Sequence, residues 1–82
     1  MTIDYLKQLT DEGREIKLKY NDKIYWITWS QVSGENLLYF YEADSDSEVS
    51  AKTVDELIEK SYDGHIIKEI WKSLTDEDVW VE

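Results

Sequence analysis

Residues 15–20 read E-I-K-L-K-Y, residues 21 and 22 are Asn-Asp, and residues 23–30 read K-I-Y-W-I-T-W-S. In the first run Ile16, Leu18 and Tyr20 alternate without a break with Glu15, Lys17 and Lys19. A period of two marks a strand with one buried face. Asn and Asp both tolerate the left-handed backbone of a tight hairpin turn. No other stretch restricts the fold as much, because hairpin loop length decides which side chains of the second strand meet the core. A two-residue Asn21-Asp22 turn pairs Leu18 with Tyr25 and Ile16 with Ile27. The core face then holds Ile16, Leu18, Tyr25, Ile27 and Trp29, while Ile24 and Trp26 lie opposite, beside Lys19 and Lys17. A three-residue turn would reverse the second strand. The shorter loop is preferred; the register stays open on sequence alone. Trp26 is the candidate surface aromatic, either a ring shielding Lys17 or a ring that meets a partner.

The flanking segments supply layers for this hairpin. Residues 3–10 have the spacing of a short helix, followed by Ile3 and Leu6 and joined by Tyr5 and Leu9, with Thr2 or Asp4 serving its first N–H groups. Gly13 ends it or sits in the next turn. Ser33-Gly34-Glu35-Asn36 predicts a turn, and residues 36–42 a third strand, apolar on both faces: Leu37, Tyr39 and Tyr41 against Leu38 and Phe40. Such a strand is central or covered twice. Residues 42–52, EADSDSEVSAK, form an acidic linker with room for a short edge strand near 47–50. Thr53 and Glu56 match a capping box that opens a helix over 53–61. Asp63-Gly64 breaks it, and Ile67, Ile70, Trp71 and Leu74 mark a second helix over 65–74. Val79 and Val81 alternate with Trp80 as an optional terminal edge strand.

The expected fold is therefore α+β, one domain over residues 1–82: an N-terminal helix, a three-stranded antiparallel meander and two C-terminal helices packed on one face. The second face of the sheet is the open question. Trp26, Leu38 and Phe40 are expected to share it, as a patch that binds a partner or closes a homodimer.

Charge narrows the function classes. The net charge is −10, and it is uneven: residues 1–41 carry six acids and five bases, residues 42–82 thirteen acids and four bases. Such a body repels phosphate backbones, which argues against direct nucleic-acid binding. There is no Cys, hence no disulfide framework, thiolate nucleophile or Cys-based zinc site. The apolar runs are too short for a membrane span, and the first residues lack the pattern of a signal peptide. The expected setting is the cytoplasm.

Glu42, Asp44, Asp46 and Glu48 stand at alternate positions. Extended, they would project to one side, repel each other and suit a basic partner. A calcium loop of the EF-hand kind needs a central glycine and a bidentate Glu at its end, and neither is present. Asp76, Glu77, Asp78 and Glu82 surround Trp80, a ring that either anchors a cationic surface or folds under the sheet. His65, the single histidine, has no companion ligand and reads as a surface residue. The serines lack an elbow pattern and the three glycines are far apart, so neither a nucleophile nor a phosphate loop is expected. No catalytic, cofactor-binding or metal residue is assigned. The protein-contact candidates are Glu42, Asp44, Asp46, Glu48, Trp26, Phe40 and Trp80.

Three segments, IKLKYNDKIYWI, TVDELIEKSYDG and IIKEIW, resemble a group of small α/β proteins of Gram-positive bacteria and their phages or mobile elements. That group shows a strand, a YNGK-type hairpin, an aromatic strand and a DELL…DGKxIKEIW helical tail. The resemblance spans most of residues 15–71, and its motifs are fold motifs that carry no functional residues. Here Asn21-Asp22 replaces the common Asn-Gly, and 42–48 is the least shared part. The resemblance implies a bacterial or prophage origin and favours the two-residue turn. The expected function is a protein-interaction or regulatory module with a basic protein partner. The alternatives are a homodimeric accessory domain, a DNA-mimicking inhibitor of a nucleic-acid-binding protein, and, least supported, a small enzyme or metal-dependent module.

Overall fold

Two hairpins with two-residue turns frame the computed structural model, which describes residues 1–82. Strand β1 (Ile16–Tyr20) pairs with β2 (Lys23–Val32), placing Leu18 opposite Tyr25 and Ile16 opposite Ile27. Asn21 and Asp22 take φ of 55° and 63°, the doubly left-handed turn that matches strand twist. Strand β3 (Glu35–Glu42) returns from β2 through Ser33 and Gly34, at φ of 53° and 82°, so Val32 faces Glu35. The expected four-residue turn is thus shorter by half. This fixes Trp26 opposite Tyr41 and Ile27 opposite Phe40.

The sheet is wider than the expected meander. Strand β4 (Glu48–Ala51) adds to β3, and β7 (Val79–Val81) adds to β1, giving the order β4-β3-β2-β1-β7, antiparallel throughout. Residues 42–52 are therefore a tight connection followed by an edge strand, with Ala51 in the core.

Three helices cover one face. Helix α1 (Ile3–Asp11) starts at Thr2, whose hydroxyl accepts from the Tyr5 N–H. It stops at Gly13, φ 72°: the Arg14 N–H reaches the Leu9 carbonyl and the Gly13 N–H that of Thr10. These paired bonds close the last turn around a left-handed residue, where glycine is favoured. Helix α2 (Val54–Leu57) is one turn long, and α3 spans Ile67–Ser73. Both are shorter than the sequence predicts. Between them β5 (Ser61–Tyr62) and β6 (His65–Ile66) form a small hairpin around Asp63-Gly64. The packing of Tyr62 accounts for the break: its ring meets Tyr25 at 5.7 Å and Phe40 at 5.5 Å, a site that a continued helix would not reach. Thr53 caps α2 as expected, but Glu56 turns toward Lys60 instead of completing the box.

One core lies between this face and the helices. Leu6, Leu9, Leu57, Ile58, Ile67, Ile70, Trp71 and Leu74 pack with Ile16, Leu18, Tyr25, Ile27, Leu38 and Phe40. Two indoles, Trp71 buried and Trp29 partly buried, tie α1 in place: Trp71 Nε1 donates to the Thr2 carbonyl at 2.7 Å and Trp29 Nε1 to that of Thr10 at 2.9 Å. Amphipathic aromatics of this kind contribute bulk and still satisfy their one polar atom.

Leu38 and Phe40 belong to this core, each 1% exposed. The expectation that they share the second face with Trp26 is corrected. The reason is register: a two-residue Ser33-Gly34 turn puts even-numbered residues of β3 over Ile27 and Trp29.

Candidate interaction surface

The second face of the sheet is built by the other half of each alternation. Reading straight across the strands, β7 contributes Trp80, β1 Lys17, β2 Trp26, β3 Tyr41 and β4 Glu48. A neighbouring row runs Thr28, Tyr39, Ser50, and Lys19 faces Ile24. All the helical core residues lie on the opposite side. Trp26, Tyr39 and Tyr41 are half-buried, and Trp80 is 44% exposed. The Lys17 ammonium sits 5.4 Å from the Trp80 ring and 6.0 Å from that of Trp26, so both indoles flank one cation. Trp80 is thus on the open face; the alternative of a ring folded under the sheet does not occur.

The acidic run behaves differently from the extended row expected. The chain turns at residues 43–47, with Asp44 at φ 65°. Glu42 falls on the core side of β3 and Glu48 on the open side of β4, so the four acids do not share a face. Glu42, Asp46 and Glu48 instead line a cleft of about 680 Å³ with Lys23, Tyr62 and Asp63 at one end of the sheet. Asp44 is exposed on the turn, outside that lining. Tyr62 braces the cleft: its hydroxyl donates to the Ser47 carbonyl at 3.1 Å and accepts from the Glu42 N–H at 3.4 Å. Lys23 meets Asp63 at 3.7 Å, while Glu42, Asp46 and Glu48 take part in none of the ion pairs. Burial, then the charges of Glu42 and Asp63, push the Tyr25 hydroxyl above its ordinary value.

A hollow of about 720 Å³ beside α1 mixes Lys7, Lys68 and Lys72 with Asp4, Asp55 and Glu59. Lys7 holds Asp55 at 2.8 Å, and that hydrogen bond raises the Lys7 pKa. No group of three or more His, Cys, Asp or Glu is arranged to hold a metal ion. His65 is exposed on β6, its ring edge-on to Tyr20 at 5.6 Å. No helix is long and apolar enough to cross a membrane.

Of the seven contact candidates, the structure brings Trp26, Trp80 and Glu48 into one row and Glu42, Asp46 and Glu48 into one cleft, with Glu48 common to both. Phe40 leaves the set. Tyr39 and Tyr41 join the open face beside Lys17, which the two-residue first turn already places there. The signal for them was present: a two-residue reading of Ser33-Gly34 puts Tyr41 beside Trp26 by counting alone. Chemically, these groups offer stacking area and negative charge. No protein-family model matches the chain, and neither a curated protein nor a solved structure matches it.

Proposed function

We propose that this protein is a small interaction module, binding rather than catalytic, that docks a basic protein segment on its open sheet face. One observation carries the reading: a face of the sheet with no helix over it gathers Trp26, Trp80, Tyr39 and Tyr41. Interface centres are enriched in Trp, Tyr and Arg, and exposed aromatic patches of this kind mark contact sites. The rim supports a basic partner. Glu48 ends the aromatic row, and the acidic cleft continues from it around the sheet end. A cytoplasmic setting and a bacterial or prophage origin accompany the reading.

A face-to-face homodimer is the second reading. Lys17 and Glu48 stand on opposite sides of Trp26 in the same row. Two copies with aligned strands would bring Lys17 toward Glu48 across a two-fold axis. A DNA-mimicking inhibitor wants a continuous row of acids, and the division of Glu42 and Glu48 between faces speaks against it.

The test is capture with tagged protein from nuclease-treated Gram-positive lysate, washed with rising salt. The reading expects one stoichiometric basic protein, released between roughly 0.1 and 0.5 M salt. The same protein must be lost from a Trp26→Ala, Trp80→Ala double variant that stays folded. Retention by the double variant would remove the open face from the account. Recovery of a clean dimer alone would favour the second reading.

A further inference from the structure

Resting on the reading that the open face docks a basic segment, we propose that the slot between Trp26 and Trp80 is an arginine site, and that Lys17 fills it in the free protein. Lys17 lies on β1, and its two cross-strand neighbours on this face are these two tryptophans. Neighbouring strands are about 4.8 Å apart, so the two indoles rise about 9–10 Å from each other on either side of β1. A flat cation between two ring faces needs about 7–8 Å at contact distance. A modest tilt of the exposed Trp80 ring closes the difference.

The slot already holds a cation. Lys17 Nζ is 5.4 and 6.0 Å from the two ring centroids, and the five ion pairs of the molecule leave Lys17 out. Its charge is therefore met on this face by aromatic rings. Carboxylates frame the position. By strand alternation Glu15 and Glu82 continue the open side of β1 and β7, their backbones joined by the Glu82 N–H to the Glu15 carbonyl at 2.9 Å. Glu15 and Glu48 are outside the ion pairs as well, while the Glu82 side chain is in none of them and its main-chain oxygen accepts from Arg14 Nε at 3.0 Å. The slot thus has room for a second positive charge once the flexible lysine swings out to solvent. Guanidinium is the better occupant: it is planar, stacks on indole and is more weakly hydrated than an ammonium. In this arrangement Lys17 is a placeholder that competes with the incoming arginine and keeps the aromatic slot from lying bare.

Titration of the isotope-labelled full chain with a hexa-arginine peptide tests this, reading the four indole N–H signals. Trp29 and Trp71 donate internally and serve as fixed references. The signals of Trp26 and Trp80 should move, and a hexa-lysine peptide should bind more weakly. Lys17→Met keeps the aliphatic stem and removes the competitor, so the dissociation constant should fall about five-fold. Lys19→Met makes the same charge change one row away and should alter it by less than about two-fold. If Trp26 and Trp80 respond but Lys17→Met leaves the affinity unchanged or lowers it, the placeholder is refuted and the docking face stands. If neither indole responds to either peptide, both fail. A doubled mass in solution with both indoles shielded would name a second copy as the occupant and would overturn the arginine site.

Discussion

Phe40 and Tyr41 are adjacent in sequence and point to opposite sides of the sheet, which makes them a sharp test of the β2–β3 register. Phe40 is 1% exposed, stacked on Tyr25 at 5.3 Å and edge-on to Tyr62 at 5.5 Å. A phenyl ring of this kind buries on the order of 200 Å². At about 25 cal/mol per Å² that is ~5 kcal/mol as an upper bound, close to the ~3–5 kcal/mol found for Phe→Ala in cores. An 82-residue domain has a total stability of roughly 4–12 kcal/mol, so Phe40→Ala would leave little or nothing. Phe40→Leu is the usable change. It retains most of the apolar volume but loses two ring contacts, at a cost of about 1.5–2.5 kcal/mol. Tyr41→Ala removes a half-buried ring whose cross-strand partners are Trp26 and Glu48, at a cost of about 0.5–1 kcal/mol. Urea unfolding followed by far-ultraviolet circular dichroism separates them. With a slope near ~1 kcal/mol/M, the midpoint should drop by roughly 1.5–2.5 M for Phe40→Leu and by less than about 1 M for Tyr41→Ala. The reverse order would mean that β3 is shifted by one residue against β2. It would also dissolve the aromatic row.

Other consequences are as direct. Gly13→Ala meets no neighbouring atom, so its cost is conformational alone: about 1–2 kcal/mol for φ near +72°, readable as a lower urea midpoint. Asp22→Gly relieves a left-handed residue at φ 63° and should stabilise the hairpin by about 0.5 kcal/mol, seen as a small rise in Tm. The Tyr25 hydroxyl is raised in the folded state by burial, Glu42 and Asp63. Its contribution is fully present below the ordinary value of 10.0 and is lost as pH rises through the folded value. Tm should therefore fall above about pH 10, and Tyr25→Phe should shrink that fall relative to pH 8.

The first hairpin was legible because its first strand alternates and its turn has residues suited to positive φ. The same counting rule applies to Ser33-Gly34, but Gly34-Glu35-Asn36 reads as more turn than there is, and residues 36–42 are apolar at nearly every position. Without alternation nothing in β3 says which side is inward, and a turn miscounted by a single residue exchanges Phe40 and Tyr41. Helix α2 was overextended for a related reason. Thr53 and Glu56 announce its start, and no local signal before Asp63 announces its end, which is set by the long-range packing of Tyr62 on Tyr25 and Phe40. The edge strands β4 and β7 are short segments whose pairing depends on partners distant in sequence. Of the open face, Trp26 and its lysine neighbour were visible from the first turn alone. The row was not, because it needs three further registers.

One face of the sheet carries no helix. A soluble paramagnetic gadolinium chelate, added to the free protein while the four indole N–H signals are followed, tests that most directly. Trp80 and then Trp26 should lose intensity, while Trp71 and Trp29, bonded to the Thr2 and Thr10 carbonyls, should lose far less. Trp26 and Trp80 as protected as Trp71 would mean that something already covers this face, and would contradict the account.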